Sequence, residues 1–260
     1  MSDPRYISSR TNPKFKALRA LLDDPRRLGR TLVDGIHLVA TCLASGVAVR
    51  QLLVADSAQG NAEILGLLQD ATGIERLTLS DSLFRELSGV STPTGIAAVI
   101  EIPSAASGVP AGDAVLLDAV QDAGNVGAIL RTAAAAGIAE VLLGSGCAGA
   151  WTARVLRAGQ GAHFSLAIRE QADLVAALAA RSATSIATVA HGGTSLYDVD
   201  LRRPLLWLVG NEGAGLSADL IAAADLRITI PLAAGTESLN VAAATAICLF
   251  EARRQRTAGA

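Results

Sequence analysis

Apolar residues fall along this chain in two alternating rhythms: short, nearly unbroken runs, and longer stretches where they recur every third or fourth position. The first is the mark of a buried strand and the second of an amphipathic helix. Residues 11–22 (TNPKFKALRALL) set Phe15, Leu18, Leu21 and Leu22 on one helical stripe with the cations opposite. After a Pro/Arg/Gly break at 25–30, strands are predicted at TLVDG, VRQLLVAD, ERLTL and TGIAAVIEI. Helices lie between them: IHLVATCLASG closed by Gly46, NAEILGLLQDA, and SDSLFRELSG capped by Ser80 or Asp81.

Residues 103–112 (PSAASGVPAG) have loop composition and read as a linker. Beyond it the alternation strengthens. Strands are predicted at DAVLLDAV, AEVLLG, FSLAIRE, SIATVA, PLLWLVG and LRITI. The intervening helices are NVGAILRTAAAAG ended by Gly137, residues 151–158, QADLVAALAARS and a short one near 216–223. A last helix from 239 to about 254 sets Leu239, Ala243, Ala246, Ile247 and Phe250 on one face. Near-continuous apolar strands alternating with helices indicate an α/β fold with a parallel sheet covered on both sides.

Composition agrees. Hydrophobic residues make up 51% of the 260 and aromatics only 3%, so Ala, Leu and Val must form a close-packed core. No run reaches the ~18 apolar residues of a membrane helix, and MSDPRYISSR is charged at once, so neither a membrane span nor a secretory signal is expected. The cysteines, Cys42, Cys147 and Cys248, have no metal-ligand spacing. A reducing, cytoplasmic setting without a metal is expected.

The net charge of −2 conceals an asymmetry: residues 1–30 carry eight basic and three acidic groups, the remainder 14 and 21. Such a basic segment suits phosphate contact, and equally a solvated surface helix.

Several segments bear candidate chemistry. Gly144-Ser-Gly146-Cys-Ala-Gly149 matches G-x-G-x-x-G after a predicted strand, with Glu170 about twenty residues on, as in a dinucleotide site; a plain Gly-rich turn explains it too. In DAVQDAGNVGAILRT, Asn125 suits a helix cap. Arg131 sits among Ile, Leu and Ala in a helix with almost no solvent face, and is expected to be paired or functional. The strand at 205–209 empties into GNEGAGLS, three glycines around Glu212. Ile230-Pro231 ends a strand before a loop into Glu237-Ser238-Leu239-Asn240-Val241, where Ser238 and Asn240 cannot both be the cap. These last three loops all lie at strand carboxyl ends, the edge where open α/β sheets bind ligands. The histidines form no catalytic or metal-binding set.

In this order, DAVQDAGNVGAILRT, GNEGAGLS and IPLAAGTESLNVAAA resemble the three motifs of the SpoU family of RNA ribose 2′-O-methyltransferases, within the SPOUT superfamily. Ala123 replaces the usual Pro and Leu232 the usual Met. VLRAGQGAHF is similar to the family's R-A-S-x-G-A-x-F segment. LVDGIHLVATCLASGVAVRQLLV resembles the family's RNA-substrate-binding domain, with Asp34 in place of Glu. The resemblance implies four parts: a basic helix or arm (1–30), a small α/β RNA-binding domain (31–102), the linker (103–112) and a catalytic domain (113–260). It further implies a deep trefoil knot, a homodimer, and bent S-adenosyl-L-methionine (S-adenosylmethionine) held by backbone at Gly210, Ile230 and Leu239. Asn125, Arg131, Glu212, Ser238 and Asn240 match its functional positions. Lys14, Lys16, Arg19, Arg26 and Arg27 become candidate RNA contacts, with ribosomal RNA slightly favoured over transfer RNA. A non-catalytic RNA-binding or ribosome-assembly factor on the same fold, and an NAD-type oxidoreductase using Gly144–Gly149, are the competing expectations.

Overall fold

The computed structural model describes residues 5–104, 112–180 and 182–258, so residues 105–111 of the expected linker lie outside the described residues. The chain divides into two compact units. One runs to Ser104 and also takes in Trp151–Phe164; the other comprises Ala105–Ala150 and Ser165–Ala260. The segment around Trp151 thus folds with the first unit, although its sequence interrupts the second.

The first unit contains β1 (Tyr6–Ile7), α1 (Pro13–Asp23), α2 (Pro25–Leu28), β2 (Arg30–Asp34), α3 (Ile36–Ser45), β3 (Val49–Ala55), α4 (Ala62–Asp70), β4 (Glu75–Leu79), α5 (Asp81–Ser88) and β5 (Ile96–Glu101). Its sheet has the order β1-β4-β3-β5-β2. It is mixed: β1, β4 and β3 are parallel, but β5 runs antiparallel to both β2 and β3. Direction depends on how the chain returns, which hydropathy does not encode. The basic segment is integrated into this unit. Tyr6 and Ile7 extend the sheet, Asn12 caps α1, and Phe15, Leu18 and Leu21 are buried, as the stripe requires. The segment read as a break at 25–30 contains the short helix α2, capped by Asp24 and stopped by Gly29.

Within the same unit, α7 (Ala153–Gly159) is held beside β2 by specific polar contacts. Thr31 Oγ1 donates to the Trp151 carbonyl at 2.7 Å, and Arg157 donates to the Ser88 carbonyl at 2.9 Å.

The second unit contains β6 (Ala114–Leu117), α6 (Ala123–Ala136), β7 (Glu140–Leu143), β8 (Ala167–Glu170), α8 (Leu174–Ala179), β9 (Thr184–Thr188), β10 (Thr194–Ser195), β11 (Leu205–Val209), α9 (Ala218–Ala223), β12 (Leu226–Thr229) and α10 (Val241–Thr257). Its seven strands lie in the order β10-β12-β9-β11-β6-β7-β8 and every pairing is parallel. Ala114, Leu116, Leu142, Leu206 and Leu208 pack with Leu174, Leu178 and Leu220 from α8 and α9. The alternate residues Val115, Leu117, Val141, Trp207 and Val209 are equally buried, so both faces are covered.

Helix α10 is only partly covered. Its buried residues are Thr245, Cys248, Leu249, Glu251 and Ala252. Of the predicted stripe, Phe250 is 45% exposed and Ala243 is exposed, Ala246 and Ile247 are half-buried, and Leu239, just before the helix, is 38% exposed. Helix α10 is apolar nearly all round in its first half, so periodicity could not choose the side. The cysteines are free; burial pushes the Cys42 thiol up to about 11 and Cys248 to about 12, which suits packing. Among the described residues no helix is long and apolar enough to cross a membrane.

Candidate active site at the carboxyl edge of the second sheet

The strand order places the site. β6 leads outward through β7 to β8, whereas β11, beside β6, is flanked on its other side by β9 and β12. The loops after β6, β9, β11 and β12 therefore leave adjacent strands at one edge, where the winding changes direction. Those after β9, β11 and β12 frame a cavity of about 340 Å³, within the range of small-molecule sites. Its lining comes from residues 188–191, from 210–213 with Gly215, from Ile228, Ile230 and Leu232, and from the run into α10. Gly210, Ile230 and Leu239, the expected cofactor contacts, all line it, as do Glu212 and Ser238. Gly144–Gly149 contributes nothing to the lining; a Cβ on Gly144 would meet Leu174 at 2.9 Å, so that glycine serves packing.

The loop after β11 is a closed turn. Asn211 and Gly215 exchange backbone hydrogen bonds at 3.0 Å, and Asn211 Oδ1 accepts from the amides of Gly213 and Ala214. A Cβ at Gly210 would sit 2.3 Å from the Gly215 carbonyl carbon and the Leu216 nitrogen. Glycine is required there first by the loop's own closure, before any ligand is considered.

Three expected residues join in one hydrogen-bonded chain. Glu212 Oε1 accepts from Asn125 Nδ2 at 3.0 Å, and Asn240 Nδ2 donates to Asn125 Oδ1 at 2.9 Å. Asn240 Oδ1 accepts from the amides of Ala242 and Ala243 and so caps α10, which answers the choice between Ser238 and Asn240. The chain has one sense only. A carboxylate can only accept, so Asn125 must turn its amide nitrogen to Glu212 and its oxygen to Asn240. Glu212 also accepts from the backbone amides of Gln121 and Asp122. Partial burial alone would push its pKa up, but the hydrogen bonds from Asn125 and these amides outweigh that and hold it below the usual carboxylate range.

Two readings of the Asn125 segment are corrected. Asn125 is not the cap of α6: Asp122 is, accepting from the Asn125 backbone at 2.8 Å, which frees the Asn125 side chain for the relay. Arg131 is exposed, not enclosed, and among the described residues no hydrogen bond or ion pair holds it. The alanines around it are too small to cover it, and α6 has a solvent-facing side. Arg131 lies outside the relay and outside the cavity lining.

Sequence reasoning overlooked the loop after β9. Residues 188–191 line the cavity, and the same strand-end rule that found the other loops, together with Gly192-Gly193, would have pointed to it.

The candidate RNA contacts are arranged differently from a free basic arm. Lys14 pairs with Glu75 at 2.8 Å, Arg19 and Arg10 share Glu86, and Arg27 pairs with Asp24. The cations are exposed, although Glu86 is half-buried, and surface pairs of this kind are worth about 0–1 kcal/mol, so these are exchangeable for phosphate. Lys16 is exposed with no such partner among the described residues.

The chain is similar to known proteins over nearly its whole length. Residues 113–250 match the model of the SpoU rRNA Methylase family, and residues 12–98 that of the MRM3-like substrate binding domain. The chain is 35% identical over 253 residues to the Bacillus subtilis 23S rRNA (guanosine(2553)-2′-O)-methyltransferase RlmP, covering 96% of this chain and 99% of that one. It is 32% identical to the 23S rRNA (uridine(2479)-2′-O)-methyltransferase of Streptomyces viridochromogenes, over 98% of this chain and 94% of the relative. Among solved structures it is similar to the SpoU methyltransferase AviRb from the same organism in complex with AdoMet, with a TM-score of 0.83 at 30% identity, covering 95% of this chain and all of that one. The AdoMet-bound rRNA methyltransferase of Sinorhizobium meliloti has the same TM-score at 28% identity, covering 96% and 97%. A parallel sheet with its cavity at the switch point, three motifs in order and full-length similarity lead to one conclusion: the chain belongs to the SpoU family of RNA methyltransferases.

Proposed function

We propose that this protein transfers a methyl group from S-adenosylmethionine to a ribose 2′-hydroxyl of RNA, with ribosomal RNA as its substrate. The observation that carries the reading is the directed Glu212–Asn125–Asn240 chain beside a cavity lined by Gly210, Ile230 and Leu239. The cavity fits the cofactor: an apolar floor of Ile228, Ile230, Leu232 and Leu239 suits a nucleoside, and free polar groups stand at its rim. The bound cofactor supplies a methyl group already activated on a sulfonium.

The protein then has to hold a hydroxyl in line and help its proton leave. Alignment alone is worth ~7–11 kcal/mol. Asn125, locked in one orientation by Glu212, presents a fixed dipole, and Ser238, whose hydroxyl has no partner among the described residues, is available to the ribose. Arg131, exposed and unpaired, is available to a target phosphate and to the developing alkoxide, where its fork geometry favours charge formed in the transition state. Both the named relatives above act on 23S rRNA but on different bases, guanosine and uridine, so their common chemistry is the ribose step.

The reading includes RNA contact through Lys14, Lys16, Arg19, Arg26 and Arg27, a homodimer built on the outward apolar face of α10, and threading of the carboxyl-terminal segment as a trefoil knot. In support of the last, the segments 188–191, 210–215 and 237–244 all meet at one cavity. A cytoplasmic location accompanies a ribosomal substrate.

The test is methyl transfer from labelled S-adenosylmethionine to ribosomal RNA, followed by alkaline hydrolysis. A label in alkali-resistant dinucleotides is expected, since 2′-O-methylation blocks cleavage. RNA binding without transfer would favour the assembly-factor reading instead.

A further inference from the structure

The polar groups around the cavity are not equally available. Thr188 Oγ1 donates to the Leu208 carbonyl at 2.8 Å. Asn211 is committed to Ala119, Gly213 and Ala214, and Glu212 to the relay. Of the lining side chains able to hydrogen-bond, only His191, Glu237 and Ser238 have no partner among the described residues. Ser238 already has a place in the ribose chemistry proposed above. His191 and Glu237 do not.

His191 is held at the rim by the backbone on either side of it. Val189 N donates to the Ile228 carbonyl at 2.9 Å, and Gly193 N donates to Thr229 Oγ1 at 3.0 Å. Position 193 lies so close to β12 that a Cβ would sit 2.6 Å from the Ile228 carbonyl carbon. Between these two pins the chain makes a short excursion through Ala190, His191 and Gly192, the last with φ of +75°. An exposed imidazole therefore stands at the tip of a loop anchored at both ends. Glu237 stands exposed on a different loop of the same cavity, just before α10.

A ring N–H donor and a carboxylate without a partner among the described residues, on separate loops of one cavity also lined by Ile228, Ile230, Leu232 and Leu239, match a ligand with an apolar body and two opposite charges. We propose that His191 and Glu237 recognise the amino-acid tail of the cofactor, His191 donating to its α-carboxylate and Glu237 accepting from its α-ammonium. The inference rests on the cofactor reading above and adds residues to it. Charge-assisted hydrogen bonds of this kind are roughly twice as strong as neutral ones.

Calorimetry with two neutral thioethers tests it. S-adenosylhomocysteine carries the tail; 5′-methylthioadenosine lacks it. His191→Ala and Glu237→Gln should each weaken S-adenosylhomocysteine by about ten-fold, as expected for a lost charged hydrogen bond, and leave 5′-methylthioadenosine within about two-fold. The retained nucleoside binding also reports that each variant is folded. Equal losses for both ligands, or no loss for either, would overturn the assignment. A Glu237→Gln variant that loses S-adenosylmethionine but keeps S-adenosylhomocysteine would mean that the carboxylate faces the sulfonium, which also overturns it. Wild-type protein that binds neither thioether nor S-adenosylmethionine refutes the parent reading, a result distinct from all of these.

Discussion

Asn240 has two tasks at once, since its oxygen caps α10 and its nitrogen holds Asn125. They can be separated. Asp is as good a cap as Asn, so Asn240→Asp should melt within a degree or two of wild type. It turns an acceptor toward the Asn125 oxygen, however, and Asn125 cannot flip without facing Glu212 with its own oxygen. Methyl transfer should therefore collapse while thermal stability is kept. Asn240→Ala should lose both, with about 1 kcal/mol of stability gone with the cap. An active Asn240→Asp enzyme would show that the relay has no catalytic purpose. Arg131→Ala is the complementary experiment. Being exposed and bonded to nothing in the described structure, it can be removed without structural cost, so cofactor affinity should hold while turnover falls by orders of magnitude. Near-normal turnover would remove Arg131 from the mechanism. Gly210 calls for a different expectation: any side chain there collides with residues 215 and 216, so Gly210→Ala should lower stability as well as cofactor binding.

At the level of elements, helix α10 ties the site to the opposite end of the sheet. Its first turn carries the relay. Its last turns carry Glu251, which accepts from Arg254 and Gln255, while Gln255 also bonds Val199 and Leu201 and Arg256 pairs with Asp113. The bonds from Arg254 and Gln255 hold the Glu251 carboxyl down at about 2. A carboxylate whose pKa is depressed on folding stabilises the fold above its unfolded value and loses that contribution as pH falls toward the folded one. Glu251→Gln should accordingly have a lower urea midpoint than wild type at pH 7, and the gap should close between about pH 4.5 and 2. A gap independent of pH would mean that the side chain acts by packing alone. Arg254 is largely exposed, so the effect will be modest.

Two surfaces carry predictions for the whole molecule. The outward stripe of α10, with Phe250 nearly half exposed, is apolar surface that a single chain leaves wet. Light scattering should report about twice 26.5 kDa, and Phe250→Glu should shift it toward the monomer; a wild-type mass unaffected by dilution at the monomer value contradicts the dimer. On the first unit, changing Lys14, Lys16, Arg19, Arg26 and Arg27 to Gln should weaken RNA binding and flatten its dependence on salt, since fewer counterions are released. Affinity for S-adenosylmethionine should stay within about two-fold, the cavity being lined wholly by the second unit. An unchanged salt slope would leave Lys14, Arg19 and Arg27 their intramolecular pairs with Glu75, Glu86 and Asp24, and would remove the RNA role from all five. What the amino-acid sequence determined by itself was what depends on neighbours along the chain: the longer strands and helices though not β1, α2 or β10, the Gly46 and Gly137 stops, the α1 stripe, and three loops ordered like the SpoU motifs. Only tertiary structure decided which side of α10 is covered, that β5 runs antiparallel, and that Arg131 stands in solvent. It alone brought Asn125, Glu212 and Asn240 into one relay and placed His191 at the rim of the same cavity. The reason is physical: periodicity and capping act over a few residues, whereas pairing direction, burial and the partners of Asn125 are set by groups far apart along the chain, 87 and 115 positions for its two side-chain bonds.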